Sequence, residues 1–207
     1  MRQLEHLSVD QLSLRDIARK VGVSATALYR HFPDKDALMG AIASRGFEML
    51  ADAQREAMAG LDPLAAFIAS GRAYVRFAIA KPSLFRMIFS CALAQTHPFE
   101  TAPEDSAAGL LTRNIASLVG DDVDAEARLV AAMRAWANVH GLAMLILDGQ
   151  VRLADIDGLI EKVISEDCVV LPASGAVAAP LADSAATPRR TKTPAARSSS
   201  RRVAPRP

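Results

Sequence analysis

SLRDIARKVGVSATALYRHFPDKDAL, residues 13–38, reads as two short helices pivoting on a glycine and followed by a third. Ser13 suits the first N-cap, since its hydroxyl can accept a backbone N–H that the opening turn leaves unpaired, and Asp16 completes an approximate capping box. Leu14, Ile17, Ala18 and Val21 keep the three-and-four spacing of a buried face, while Arg15, Arg19 and Lys20 point elsewhere. Gly22 ends this helix because glycine tolerates the left-handed backbone that swings the chain into a new one, and Ser24 supplies the next N-cap. The second helix, 25–32, turns Leu28 inward and leaves Ser24, Ala25, Thr26, Tyr29, Arg30 and His31 to an outside partner.

Two helices turned about a glycine have the spacing of a helix-turn-helix. In such proteins the second helix enters the DNA major groove, about 12 Å wide, with its first residues against base edges and with phosphate contacts fixing its register. The stretch closely resembles the DNA-binding domain of the TetR family of transcriptional repressors, where a run like LYRHFPDKDAL joins the recognition helix to a long fourth helix. The resemblance implies that Tyr29, His31 and Lys35 hold phosphates. It also implies that Arg15, Thr26 and Arg30 sit near bases or backbone and that Ser24 and Ala25 line the groove. TetR-type heads carry a full first helix before the position of Ser13. Here twelve residues precede it, enough for barely two turns over 2–7, so a shortened first helix or a misplaced translation start is expected.

At 207 residues, 51% apolar, the chain can form one or two domains with a sizeable core. No run reaches the roughly 18 consecutive apolar residues of a membrane span, and no apolar signal segment opens the sequence, so a cytoplasmic protein without membrane contact is expected. Cys91 and Cys168 are too few and too far apart for a disulfide framework or a metal site. Catalysis would need a convergent nucleophile, base and stabiliser. Cys91 and His97 lie on an interrupted helix at no catalytic spacing, and there is neither a phosphate-cradling glycine loop nor a metal-ligand pair, so no enzyme, metal or cofactor is expected.

The net charge of +1 is unevenly spread. Beyond Pro172 the chain carries Arg189, Arg190, Lys192, Arg197, Arg201, Arg202 and Arg206 against Asp183, a net +6, which leaves −5 on the remainder. This tail, 172–207, is rich in Ala, Pro, Ser, Thr and Arg and is expected to be disordered. Its charge suits either sequence-independent contact with DNA phosphates or simple solubilisation.

Between head and tail every long segment has helical periodicity, so the fold class is all-α: a head at 1–45, a helical effector-binding and dimerisation body at 46–171, then the tail. A long helix from about 34 to 59 carries Leu38, Ala41, Ile42, Met49 and Ala53 on one stripe. The next is stopped at Lys81-Pro82, and Pro82 suits a new start. A helix over 124–147 stacks Leu129, Met133, Trp136, His140, Met144 and Leu147 on an inward face, while Leu142, Leu145 and Ile146 make its last turns apolar all round. The following segment offers Ile156, Leu159, Ile160, Val163 and Ile164 as a seam, and Leu142, Leu145, Ile146, Ile156, Leu159, Ile160 and Val163 are the expected homodimer interface. Two heads would then meet successive major grooves of a palindromic operator.

Trp136 to Gly141, WANVHG, with Lys81 to Arg86, KPSLFR, is similar to the ligand-binding domain of a TetR subgroup named for a Trp, His and Gly pattern. By that resemblance and by position, Phe67, Tyr74, Phe85, Met87, Phe89, Met133, Trp136 and His140 are candidate linings for an unidentified small-molecule effector. Trp136 and His140 read equally well as a packing tryptophan and a satisfied core histidine. The resemblance implies a dimeric repressor released from double-stranded DNA by its effector. A ligand-sensing or protein-interaction dimer that has lost operator recognition with its first helix is the alternative.

Overall fold

Side-chain caps written into the sequence set the helix starts. The structure, a computed structural model, describes residues 13–90, 103–120 and 122–169, and every regular element among them is helical, as expected from the periodicity. In order these are α1 (Leu14–Val21), α2 (Ala25–His31), α3 (Lys35–Met58), α4 (Pro63–Ala80), α5 (Pro82–Ser90), α6 (Ala107–Val119), α7 (Ala125–Leu147) and α8 (Ile156–Val163), then a single 3-10 turn at Glu166–Cys168. Ser13 Oγ accepts from Asp16 N and Ser24 Oγ from Ala27 N, each at 3.1 Å, and Asp34 Oδ1 accepts from Ala37 N at 2.8 Å. Asp62, Ser106, Asp124 and Asp155 cap α4, α6, α7 and α8 in the same way. Gly22 has φ +76°, and the N–H of Val23 closes back onto Ala18 O at 3.0 Å, which ends α1 and aims α2.

The 24 residues of α3 span about 36 Å and run without a break past position 45, so head and body share one helix. In the body, Ala43 and Leu50 of α3, Tyr74, Val75, Phe77 and Ala78 of α4, Phe85 and Ile88 of α5, Leu142 and Ala143 of α7 and Ile160 of α8 form the main core. A smaller cluster joins Ile115 of α6 to Ala131 and Ala132 of α7. Burying α3 on α5 requires Gly46: a Cβ there would run into Ile88 and come within 3.1 Å of Leu84. Between α3 and α4 the buried Gln54 amide nitrogen donates to Ser70 Oγ at 2.9 Å.

Several expectations shift by one helical register. The core face of α3 runs through Leu38, Ala43, Gly46, Leu50 and Gln54, whereas Ala41 is exposed and Ile42, Met49 and Ala53 are half-buried. Val21, expected on the buried face of α1, is 64% exposed. On α7 the inward face is built from Ala127, Ala131, Ala132, Leu142 and Ala143, while Leu129 and Met133 turn outward. Small side chains let the first turns of α7 approach α4 and α6 closely, with Leu129 and Met133 on the far side. By length and a mean hydropathy of 1.4, α7 could cross a bilayer, yet it carries Arg128 and Arg134 and packs on α4 and α6. The expected first helix over 2–7, Cys91 and the basic tail lie outside the described residues.

Candidate nucleic-acid interface and aromatic cluster

The head presents most of its candidate residues outward. Arg15, Ser24, Thr26, Tyr29, Arg30 and His31 are exposed, and Ala25 and Lys35 are half-buried. Tyr29 is 47% exposed, so it is no core aromatic. None of the α2 residues is fully buried, Leu28 included. Ser24 Oγ is engaged as the N-cap of α2, which leaves its hydroxyl hydrogen for an outside acceptor. Lys35 stands at the first turn of α3 beside the Asp34 cap. Among the cations, Arg19 is taken up by Asp16 at 2.6 Å, whereas Arg15 and Arg30 project from α1 and α2. The arrangement is an exposed polar surface: hydroxyls, an imidazole and the Arg30 guanidinium on one short helix, with Arg15 on the helix before it.

In the body, Tyr74 of α4, Phe85 and Phe89 of α5 and Trp136 and His140 of α7 come together ring against ring. Phe85 meets Phe89 at 4.9 Å between centroids and Tyr74 at 5.4 Å, and His140 meets Phe89 at 4.8 Å and Trp136 at 5.6 Å. Trp136 Nε1 donates to the Tyr74 hydroxyl at 3.2 Å, and that hydroxyl lies 2.8 Å from His140 Nδ1. An indole N–H only donates, so the Tyr74 oxygen accepts there, and the bond between Tyr74 and His140 Nδ1 runs from whichever of the two carries the proton between them. Burial pushes the Tyr74 phenol well above its ordinary pKa, the Trp136 hydrogen bond opposing it in part, and burial pushes His140 below its own. Both groups are held neutral at physiological pH.

Five of the eight candidate effector residues thus form this cluster. Phe67 and Met87 pack half-buried on the core beside it. Met133 does not join: it lies on the outer face of α7, 42% exposed. Phe47 of α3 was missed, and its ring meets Phe89 edge-on at 5.4 Å. The three-and-four series Ala43, Phe47, Leu50 carried the signal. A separate open groove of about 520 Å³ is lined by Ala53, Ala57, Ala69, Arg72, Ala73, Arg76, Phe77, Ala80 and Lys81, and none of the eight lies on it.

The expected interface residues divide in two. Leu142 and Ile160 belong to the chain's own core, 7% and 0% exposed, because α7 and α8 close over α4 there. Ile146, Ile156, Leu159 and Val163 are half-buried against the same core, and Leu145 is 49% exposed. With Leu129 and Met133 it makes an outward apolar stripe on α7 at positions four or multiples of four apart, with Ala137 and Gly141 between. Arg72 and Arg76 of α4, which the sequence did not single out, hold α8 in place through Asp157 and Glu161.

The N-terminal family model for bacterial regulatory proteins of the tetR family matches residues 1–42, and the tetracyclin repressor-like C-terminal domain model matches residues 67–166. An uncharacterized HTH-type transcriptional regulator of Haemophilus influenzae is 30% identical over 96 residues, a match that takes in 46% of this chain and 47% of the relative. A solved protein of unknown function from Rhodococcus sp. RHA1 is 32% identical with a TM-score of 0.59, over 79% of this chain and 86% of that one. The crystal structure of SCO4313 shares the fold at a TM-score of 0.54 and 22% identity, over 79% of this chain and 88% of its own. With residues 1–42 matched by the N-terminal model and 67–166 by the C-terminal one, the chain belongs to the tetR family of bacterial regulatory proteins.

Proposed function

We propose that this chain is a homodimeric, sequence-specific DNA-binding regulator, a repressor released from a palindromic operator by a small-molecule effector. The observation that carries the reading is the continuity of α3. It starts at Lys35 beside the exposed face of α2 and reaches the aromatic cluster at Phe47, so one helix touches both the DNA-facing head, 1–45, and the body, 46–171. An effector seated among Tyr74, Phe85, Phe89, Trp136 and His140 would displace α3, alter the separation of two heads and weaken DNA binding by about 1–3 kcal/mol. The Trp136, His140 and Gly141 pattern supports a place in the Trp-His-Gly subgroup. The second copy would pack on the outward stripe of Leu129, Met133 and Leu145, flanked by the partly covered Ile146, Ile156, Leu159 and Val163. A cytoplasmic location follows from a DNA target.

Gel-shift titrations against fragments upstream of the gene test this. A sequence-selective shift is expected, lost in Tyr29→Ala and weakened uniformly in Lys35→Ala, with the salt slope reduced by about one. A folded dimer with no preference over random duplex would overturn operator recognition and favour the ligand-sensing dimer instead.

A further inference from the structure

The open groove along α4 shares no residue with the aromatic cluster, and at about 520 Å³ it has the size of a small-molecule site. Ala53 and Ala57 of α3 and Ala69, Ala73, Phe77 and Ala80 of α4 supply its apolar lining. All of these but Phe77 stop at a methyl, so little of the chain itself fills the space between the two helices. Ala69 and Ala80 stand about 16 Å apart along the helix.

Arg72, Arg76 and Lys81 complete the lining, and they are not equivalent. Every nitrogen of the Arg72 guanidinium is engaged, by Ile164 O, Glu161 O and the Glu161 carboxylate. Arg76 commits Nε to Asp157 and Nη2 to Glu161, which leaves Nη1 without a partner among the described residues. Lys81, half-buried at the C-cap of α4, has no carboxylate partner among them either. Two positive donors toward the C-terminal end of α4 are therefore open, while no side chain of the lining accepts a hydrogen bond. A peptide laid there would bury backbone N–H groups without side-chain acceptors, which is costly. An alkyl chain brings no donors, and a carboxylate at its end brings the acceptors that Lys81 and Arg76 lack.

We propose that this groove binds a free medium-chain carboxylate, its carboxylate group held by Lys81 Nζ and Arg76 Nη1 and its alkyl chain laid over the alanines toward Ala69 and Ala57. Burial of methylenes supplies the affinity, and the charge pairing fixes the direction of the chain. The occupant touches α3 at Ala53 and Ala57, on the helix that head and body share. The site is separate from the aromatic cluster and stands whether or not an effector binds there.

The test titrates the full chain with decanoate, hexanoate and decyltrimethylammonium, each below its micellar concentration, and reads calorimetry beside the alanine methyl resonances. Decanoate is expected to bind and to shift the methyls of Ala53, Ala69 and Ala73. Hexanoate should bind about tenfold more weakly, since each half-covered methylene is worth about a factor of two. The cation should also bind about tenfold more weakly than decanoate, because its charge faces Lys81. Lys81→Glu, a change at a side chain with no partner to lose, should weaken decanoate by about tenfold with helical content unchanged. Ala73→Leu, which puts a larger side chain into the groove, should weaken it too, and Ala69→Leu takes its place if that variant does not fold. Equal affinity for the cation and the carboxylate overturns the charge pairing, and equal affinity for hexanoate overturns the alkyl track. Trp136 is the only tryptophan, so its indole resonance reports on the aromatic cluster. Decanoate that binds the variants as tightly as the unaltered protein, or that shifts the indole in place of the alanine methyls, lies elsewhere and overturns the site. No binding of decanoate overturns the proposal outright.

Discussion

The Arg72 guanidinium of α4 donates from Nε to the carbonyl oxygen of Ile164 at 2.9 Å, just past the end of α8, and from a terminal nitrogen to Glu161 O at 3.1 Å. Its other terminal nitrogen pairs with the Glu161 carboxylate at 3.2 Å. A helix end leaves carbonyls without partners and carries partial negative charge, so a fixed cation there satisfies both needs. The helix has only eight residues and would be marginal alone. Arg72→Ala is expected to cost about 1.5–3 kcal/mol in urea unfolding, and Arg72→Lys to restore only part of it, since an ammonium lacks the planar fork. Arg76, whose pairs with Asp157 and Glu161 are more exposed, should cost under about 1 kcal/mol as Arg76→Ala.

Gly46 fixes how closely α3 lies on α5. The side chain of Ile88 fills the place that a Cβ would take, and Ile88 is itself fully buried and β-branched, so it cannot swing aside. Gly46→Val should lower unfolding stability by about 1–3 kcal/mol, the usual cost of overpacking. A Cβ added at Gly141, by contrast, would meet nothing within 4 Å. Gly141→Ala should therefore leave the folding of an isolated chain intact, with any loss appearing in self-association.

In the proposed dimer the outward stripe of α7 separates association from folding. Leu145 is 49% exposed and Leu142 only 7%, although they lie three positions apart on one helix. Leu145→Glu is expected to yield a folded monomer by sedimentation, with helical content unchanged. Leu142→Glu buries an unpaired charge and should prevent folding altogether. A Leu145→Glu protein that sediments as a dimer would move the interface off this stripe.

That pair shows where the sequence was legible and where it was not. Caps and the glycine pivot are local chemistry: Ser13, Gly22, Ser24 and Asp34 announce themselves, and the structure places each helix start where they indicate. The helical class follows from periodicity in the same way. Which face of a helix turns inward is not local. On α7 both faces are apolar, and the inner one is marked by Ala127, Ala131 and Ala132 because close packing selects small residues, so ranking positions by bulk pointed to Leu129 and Met133. The α3 register slipped for the same reason at Ala43 and Gly46. Trp136 and His140 were found as a pair, but the Tyr74 hydroxyl that joins them comes from 62 residues earlier in the chain, a separation that periodicity cannot bridge.

The His140 environment makes stability depend on pH with a defined sign. Burial lowers its pKa below the ordinary 6.5, so the unfolded chain takes up a proton at a higher pH than the folded one does. The contribution is fully present above about pH 6.5 and is lost as pH falls through the folded-state value. Protonation places a donor on Nδ1, so the Tyr74 oxygen must then accept from both His140 and Trp136. Thermal midpoints measured from pH 8 to pH 5 should therefore fall more steeply below pH 6.5 in the unaltered protein than in His140→Gln, whose amide can accept from or donate to Tyr74 but does not titrate. Parallel curves for the two proteins would mean that His140 is as easily protonated in the fold as in the open chain, and the neutral hydrogen-bond chain through Tyr74 to Trp136 would have to be redrawn.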